Sequence, residues 1–289
     1  MRRKNRGKQT LKKKMLSILL LSAMSSILAV VIVSYMTIRM IQNDGIKESM
    51  QIYLEQITRE MDSDYYDMIG IVNQMSPDGL IGSATERYLS SNDNYDRYLE
   101  QKFLREELIK LGYVNTKLLG ITYYDPKEQK ELIGNFNVRV LDPSYQTISK
   151  VVVGADNTIQ AMHDSYLGIK ETPVVSVMRR VSFGNQKMLD IYAEMEPDMS
   201  VSDQLNKEKW PYTYMEMDEN GIVQYSNNPV IVQGQKILSE LPKKEGHAVT
   251  NQEGYKIMVY RSTIGYANAI ALPENIYQKE MNMWRLKLV

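Results

Sequence analysis

LLGITYYDPKEQKELIGNFNV, residues 118–138, is the stretch in which the apolar spacing of this chain changes from a helical to a strand period. Its first eight residues are rich in aliphatic and aromatic side chains and read as a strand. PKEQK, 126–130, is a turn, and 131–138 returns as a second strand. Everything before this hairpin has helical spacing, and most of the chain beyond it has strand spacing.

Working upstream, residues 39–75 contain no proline. Ile46, Met50, Tyr53, Ile57, Met61, Tyr65, Met68, Val72 and Met75 recur at steps of three and four, which predicts a helix with one apolar stripe. Glu48, Glu55, Glu60, Asp62, Asp64 and Asp67 are assigned to the solvated side. Ser76-Pro77-Asp78-Gly79 ends the helix. At about 1.5 Å per residue it would extend about 55 Å, the length of a stalk. A break at Asp44-Gly45 or Gly70 would make it two helices. Two shorter helices are expected at 83–89 and 95–111, the second capped by Asn92, Asp93 or Asn94 and closed by Gly112.

Downstream of the hairpin, 144–153 is expected to be a short helix. Strands are expected at 158–167, 174–183 and 188–195, and a polar connecting helix at 197–209. The order then recurs in shorter form. A hairpin over 212–218 and 222–226 turns at Glu219-Asn220-Gly221, and 237–241 forms a link. Strands at 247–251, 255–262 and 266–272 lead into a helix at 273–281. Each half thus reads as hairpin, link, three-stranded meander and helix. The fold class is α+β, with two antiparallel sheets of PAS-like strand order.

Residues 15–38, MLSILLLSAMSSILAVVIVSYMTI, carry no charge and are long enough to cross a hydrocarbon core of roughly 30 Å. Residues 1–14 hold eight Lys or Arg and no acid, which leaves 27 basic against 35 acidic residues beyond them. By the positive-inside rule the basic tail stays cytoplasmic, and residues 39–281 are extracytoplasmic at the cell membrane. A cleaved signal peptide would have a shorter apolar core and an A-x-A exit, neither of which is present. Beside a span, the basic tail reads as a topology signal and not as a nucleic-acid patch; no nucleic-acid partner is expected. The absence of cysteine excludes disulfides and thiolate chemistry. Residues 282–289 read as the start of a second membrane segment with Trp284 at its edge, so that the chain reads as a fragment.

No catalytic motif is present: the two histidines, His163 and His247, have no metal spacing, and there is no phosphate loop or nucleophile elbow. No cofactor is expected. The most informative position is Arg179. Alternation places it with Val175, Val177, Val181 and Phe183 on one otherwise apolar strand face. A charge there is costly unless paired. Arg179 marks an internal ion pair, a slip of the strand register, or a pocket arginine whose fork binds a ligand carboxylate. The neighbouring strand offers Asp190, Tyr192 and Glu194 on a single face, and Tyr123 and Tyr124 lie on the opening strand.

The segments ITYYDPKEQKELIG (121–134), VVSVMRRVSF (174–183), MLDIYAEM (188–195), YMEMDENGIVQYSNN (214–228) and GYKIMVYRSTIGYANAIALPENIYQKEM (254–281) carry a resemblance. In pattern and order the chain resembles the double-Cache (dCache) extracytoplasmic sensor regions of membrane-bound histidine kinases of the YesM-like group. The resemblance implies a cytoplasmic tail (1–14), a transmembrane helix (15–38), a stalk and helical region (39–111), a membrane-distal unit (112–200) and a membrane-proximal unit (201–281). It also implies a homodimer that senses a small-molecule ligand, free or on a solute-binding protein, and signals across the membrane. With the strand-face reading above supplying Arg179, Tyr123 and Tyr192, the candidate ligand-binding residues are Arg179, Tyr123, Tyr145, Tyr192 and Glu194. One subgroup recognises amino acids through an Arg-x-Trp-Tyr cluster; here the matching segment, 140–148, has Tyr145 but neither Arg nor Trp. The sensor part of a chemotaxis receptor or cyclic-dinucleotide enzyme, or an anchored interaction protein without a small ligand, are the alternatives.

Overall fold

The computed structural model describes residues 3–134, 141–146, 151–153, 156–168, 173–184, 186–197, 212–228, 231, 234–238, 241–252 and 254–273. The helices expected at 197–209 and 273–281 and the apolar run at 282–289 fall outside these residues, save Pro197 and Pro273. The chain divides into two compact units, one including residues 3–49 and the other running over Met50–Tyr277.

In the first unit, Lys13–Ile41 is helical and long and apolar enough to cross a membrane. Its Leu, Ile, Val and Met side chains are exposed, among them Leu16, Leu21, Ile27 and Val33. A continuous exposed apolar surface of this kind marks an interaction surface, here of a length that suits a membrane core.

The second unit opens with the remainder of α1 (Arg3–Met75), which runs through Gly45 and Gly70 without a break. The expected stripe is buried at Met50, Ile57, Met61, Tyr65, Met68, Val72 and Met75, and Leu54 and Ile71 widen it. The side chain of Ile46 lies outside the described residues. Two acids assigned to the solvated face are buried instead, because protein covers the helix on more than one flank. Asp62 accepts from Ser262 Oγ at 2.5 Å and Thr263 Oγ1 at 2.9 Å. Asp64 pairs with Lys117 Nζ at 2.7 Å. Two helices come next, α2 (Leu80–Ser90) and α3 (Asn94–Val114), the latter capped by Asp93. A Cβ on Gly82 would stand 1.8 Å from the Ser76 carbonyl oxygen, so only glycine lets α2 approach the end of α1 this closely.

The hairpin 118–138 is realised as β1 (Leu118–Asp125) and β2 (Lys130–Gly134). Residues 135–138 lie outside the described set. Then come a 3₁₀ turn at Pro143–Gln146, β3 (Val151–Val153), β4 (Asn157–His163), β5 (Val174–Phe183) and β6 (Lys187–Met195). The helix expected over 144–153 is corrected at both described ends. Its start is one 3₁₀ turn, and the β-branched run Val151–Val153 pairs with β4 as an edge strand. The first sheet is antiparallel with order β2-β1-β6-β5-β4-β3.

The second sheet comprises β7 (Thr213–Met217), β8 (Val223–Ser226), β9 (Gly246–Gln252), β10 (Tyr255–Arg261) and β11 (Ala267–Pro273), in order β8-β7-β11-β10-β9. Without its extra edge strand β3, the first sheet repeats this order. The turn before β8 holds Gly221 at φ 74°, a conformation that favours glycine. Residues 237–238 and 241 are irregular, not helical.

The first sheet has two different faces. Odd-numbered residues, including Ile121, Tyr123, Val175, Val177, Val181, Ile191 and Ala193, join the stalk stripe in one core. Even-numbered residues face the other way, toward the 3₁₀ turn. There Tyr124, Leu141, Tyr145, Leu167, Met178 and Tyr192 form a separate buried cluster.

Candidate functional site

That second face is built by register. β5 and β6 are joined by a short turn, and pairing Phe183 with Lys187 sets Arg180 opposite Asp190, Met178 opposite Tyr192 and Ser176 opposite Glu194. β1 flanks β6 on its other side and adds Tyr124 opposite Asp190. β4 flanks β5 and adds Gln160 opposite Ser176. A row of polar and aromatic side chains therefore crosses the sheet beneath Tyr145.

Asp190 is fully buried. Arg180 donates to it through both Nε (2.6 Å) and Nη2 (2.8 Å), and the Tyr145 hydroxyl donates at 2.7 Å. The pairing to Asp190 raises the pKa of the half-exposed guanidinium. Burial, then the hydrogen bond to Asp190, pushes the Tyr145 hydroxyl up as well. The Tyr145 ring lies between Tyr124 (centroids 5.6 Å apart) and Tyr192 (5.3 Å), and its carbonyl accepts from Gln160 Nε2 at 2.7 Å. The inserted turn is thus held by its side chain and its backbone together.

Glu194 is also fully buried. It accepts from Ser165 Oγ (2.6 Å), Tyr166 N (2.7 Å), Leu167 N (3.3 Å) and Tyr192 Oη (2.9 Å). Burial raises its pKa, and the four donors work against that rise. Four donors occupy the acceptor capacity of one carboxylate, so Glu194 fixes the loop after β4. His163 stacks on Tyr166 at 4.6 Å and meets Ser176 Oγ through Nε2 at 2.7 Å. Burial lowers its pKa to about 4, so the ring is neutral at physiological pH.

Of the five residues expected to bind ligand, Tyr145, Tyr192 and Glu194 come together here. Arg179 and Tyr123 do not. Both lie on the odd-numbered face against the helices. Arg179 pairs across the sheet with Ile191, and its Nη1 donates to Asn73 Oδ1 of α1 at 2.9 Å. Tyr123 is fully buried, and its hydroxyl donates to the Met75 carbonyl at 2.5 Å. Arg180 takes the place expected of Arg179. The signal for it was present in the sequence: counting outward from the 184–186 turn sets Arg180, not Arg179, across from Asp190. Among the described residues no group of three His, Asp or Glu could hold a metal ion.

No protein-family model and no curated protein sequence matches the chain. Several solved structures are similar in fold. The Vibrio cholerae histidine kinase DctB sensor domain aligns at 11% identity and a TM-score of 0.48, over 80% of this chain and 98% of that one. The periplasmic sensory domain of the Campylobacter jejuni chemoreceptor Tlp1 aligns at 10% and 0.46, over 80% and 97%. The ligand-binding domain of the Pseudomonas fluorescens chemoreceptor CtaA, in complex with L-isoleucine, aligns at 10% and 0.42, over 83% and 98%.

Proposed function

We propose that this chain is the exported ligand-sensing region of a membrane-anchored signalling receptor of the two-component histidine kinase kind. The observation that carries the reading is Tyr145. A single residue of an inserted turn fills a chamber floored by Asp190 and walled by Tyr124, Tyr192 and Gln160. Buried charge of this kind contributes little stability compared with apolar packing of the same volume, so stability alone gives no reason for it. Withdrawing Tyr145 would free one acceptor position on Asp190 Oδ2, which Arg180 Nη2 shares, and a ring-sized space, a suitable seat for a small polar ligand. Such a ligand arrives free or on a solute-binding protein.

The same geometry offers a path outward. Gln160 holds the Tyr145 carbonyl with its side chain, and its own carbonyl accepts from the Tyr65 hydroxyl of α1 at 2.8 Å. Moving the inserted turn therefore acts on β4 and on the stalk, which selects between two packings of the unit. The basic residues before the span stay in the cytoplasm, and the sheets lie outside. Homodimerisation through the outer stalk face belongs to the same reading, because Ile52 and Tyr66 are large exposed side chains there.

The test is a thermal-shift panel on the full chain in detergent micelles, with amino acids, di- and tricarboxylates, polyamines and sugars as probes. Occupancy at about a hundredfold excess over Kd stabilises a protein by about 2.7 kcal/mol. At least one probe is expected to raise Tm by several degrees, with a smaller rise in the Asp190→Asn variant. If no probe moves the wild-type Tm, the reading is wrong.

A further inference from the structure

The two sheets meet where β4 is irregular. Its ladder with β5 shifts between Gln160 and His163. Within that bulge, the Met162 amide donates to Glu216 Oε2 of β7 at 2.7 Å. Glu216 has no exposed surface. Its other oxygen, Oε1, lies 3.1 Å from the Tyr214 hydroxyl, which lies 2.8 Å from Asn268 Oδ1 of β11. Asn268 Nδ2 donates to Thr58 Oγ1 of α1 at 3.0 Å, and Thr58 Oγ1 donates to the Leu54 carbonyl at 2.8 Å.

Counting hydrogens along this chain leaves one contact short. The Thr58 hydroxyl hydrogen is committed to a carbonyl, which can only accept. Thr58 Oγ1 must therefore accept from Asn268, and this fixes the amide with Oδ1 toward Tyr214. Tyr214 has one hydroxyl hydrogen and three acceptors in reach, Asn268 Oδ1 at 2.8 Å, Met61 Sδ at 3.0 Å and Glu216 Oε1 at 3.1 Å; the thioether is a weak acceptor, and Asn268 Oδ1 is the nearest of the three. With that hydrogen given to Asn268, the contact to Glu216 holds only if the carboxyl supplies a hydrogen of its own.

We propose that Glu216 is a proton-binding site at the joint of the two sheets and the stalk, protonated on Oε1 in this packing and released from it as the medium turns alkaline. The protonated carboxyl completes an unbroken run of donors from Glu216 through Tyr214, Asn268 and Thr58 to the backbone of α1. Loss of the proton sets two oxygens against each other and leaves a buried carboxylate held by the Met162 amide alone on Oε2. Among the described residues, the titratable groups that face Glu216 are Tyr214 on β7, Tyr225 on β8, Tyr65 on α1 and Tyr266 before β11, and behind these phenols lie the acids Asp62, Asp64 and Asp164. These are phenols and acids, and none of these described groups is a cation that could hold a negative charge. Burial pushes the Glu216 pKa from 4.5 up to about 7, against the lowering effect of the Met162 amide hydrogen bond. A raised carboxyl pKa means that the stabilising effect is full below the unfolded value and is lost as pH rises through the folded one. The joint therefore tightens in acid and loosens across neutral pH, whatever the first sheet binds.

The experiment tracks Tm of the full chain in detergent micelles from about pH 4 to about pH 8, which brackets the interval between the unfolded and folded values where the two states differ in bound protons at this site. The Glu216→Gln amide carries its hydrogens at every pH. Wild-type Tm is expected to fall by several degrees relative to this variant as pH rises from 4.5 to about 7, and to run parallel to it above. Infrared difference spectra of the wild type are expected to show a carboxylic-acid carbonyl band that vanishes near pH 7. Tyr214→Phe should shift that band, because it removes the acceptor of the acid hydrogen. This spectroscopic readout stands even if Glu216→Gln fails to fold. Parallel Tm profiles, or a wild-type spectrum without a titrating acid band, overturn the proposal.

Discussion

Glu194→Ala is expected to destabilise the chain by about 4 kcal/mol, because it strands several buried donors that each cost about 1–3 kcal/mol when left unpaired. The donors are the amides of Tyr166 and Leu167 and the hydroxyls of Ser165 and Tyr192. The two amides have no freedom to turn elsewhere, since Leu167 is locked into the aromatic cluster by its own burial. Truncation also leaves a cavity beside Tyr192. Glu194→Gln keeps one acceptor oxygen but turns an amide NH₂ toward donors, so about half of the loss is expected from it. Urea unfolding of the full chain in micelles measures both. A cost below about 1 kcal/mol for Glu194→Ala would mean that the loop after β4 does not depend on this carboxylate.

The second large effect is expected at Tyr65. Its side chain is nearly fully buried, lies edge-on to Tyr266 at 5.5 Å and donates to the Gln160 carbonyl. Removing a buried aromatic ring costs about 3–5 kcal/mol, so Tyr65→Ala should rank with the most damaging substitutions in α1. Tyr65→Phe separates the ring from the hydroxyl. It keeps the packing but leaves a buried carbonyl without its donor, at a cost of about 1–2 kcal/mol. Equal losses for the two variants would show that the hydroxyl bond, not the ring, ties the stalk to β4. Negligible loss for Tyr65→Phe would remove that tie from the proposed signalling path.

The sheets were legible because their determinants are local. Residues 174–183 form the expected strand to the residue, and the Glu219-Asn220-Gly221 turn falls where its glycine allows a positive φ. Helical spacing likewise marked the buried side of α1. The failures have a common cause, which is that local pattern does not say what covers a face. Asp62 and Asp64 were assigned to water by their place on an amphipathic helix, but Ser262, Thr263 and Lys117 cover them from distant parts of the chain. Alternation correctly grouped Arg179 with Val175, Val177, Val181 and Phe183. That face packs on helices, and the polar cluster lies on the opposite side with Arg180. Tyr123 and Tyr124 divide in the same way. The joint at Glu216 was not legible at all. It brings Met162, Tyr214, Asn268 and Thr58 together from three strands and the stalk, and no spacing rule links them.

Hydrogen–deuterium exchange of the full chain, with and without the probe that gives the largest thermal shift, addresses the role of Tyr145 most directly. Slowed exchange is expected at 141–146, 157–168 and 187–195, the segments that carry Tyr145, Gln160, Asp190 and Glu194. A weaker change should reach residues 61–68 of α1 through Tyr65. Protection confined to the second sheet, with 141–146 and 157–168 unchanged, would place the ligand elsewhere and contradict a sensor gated by the inserted turn.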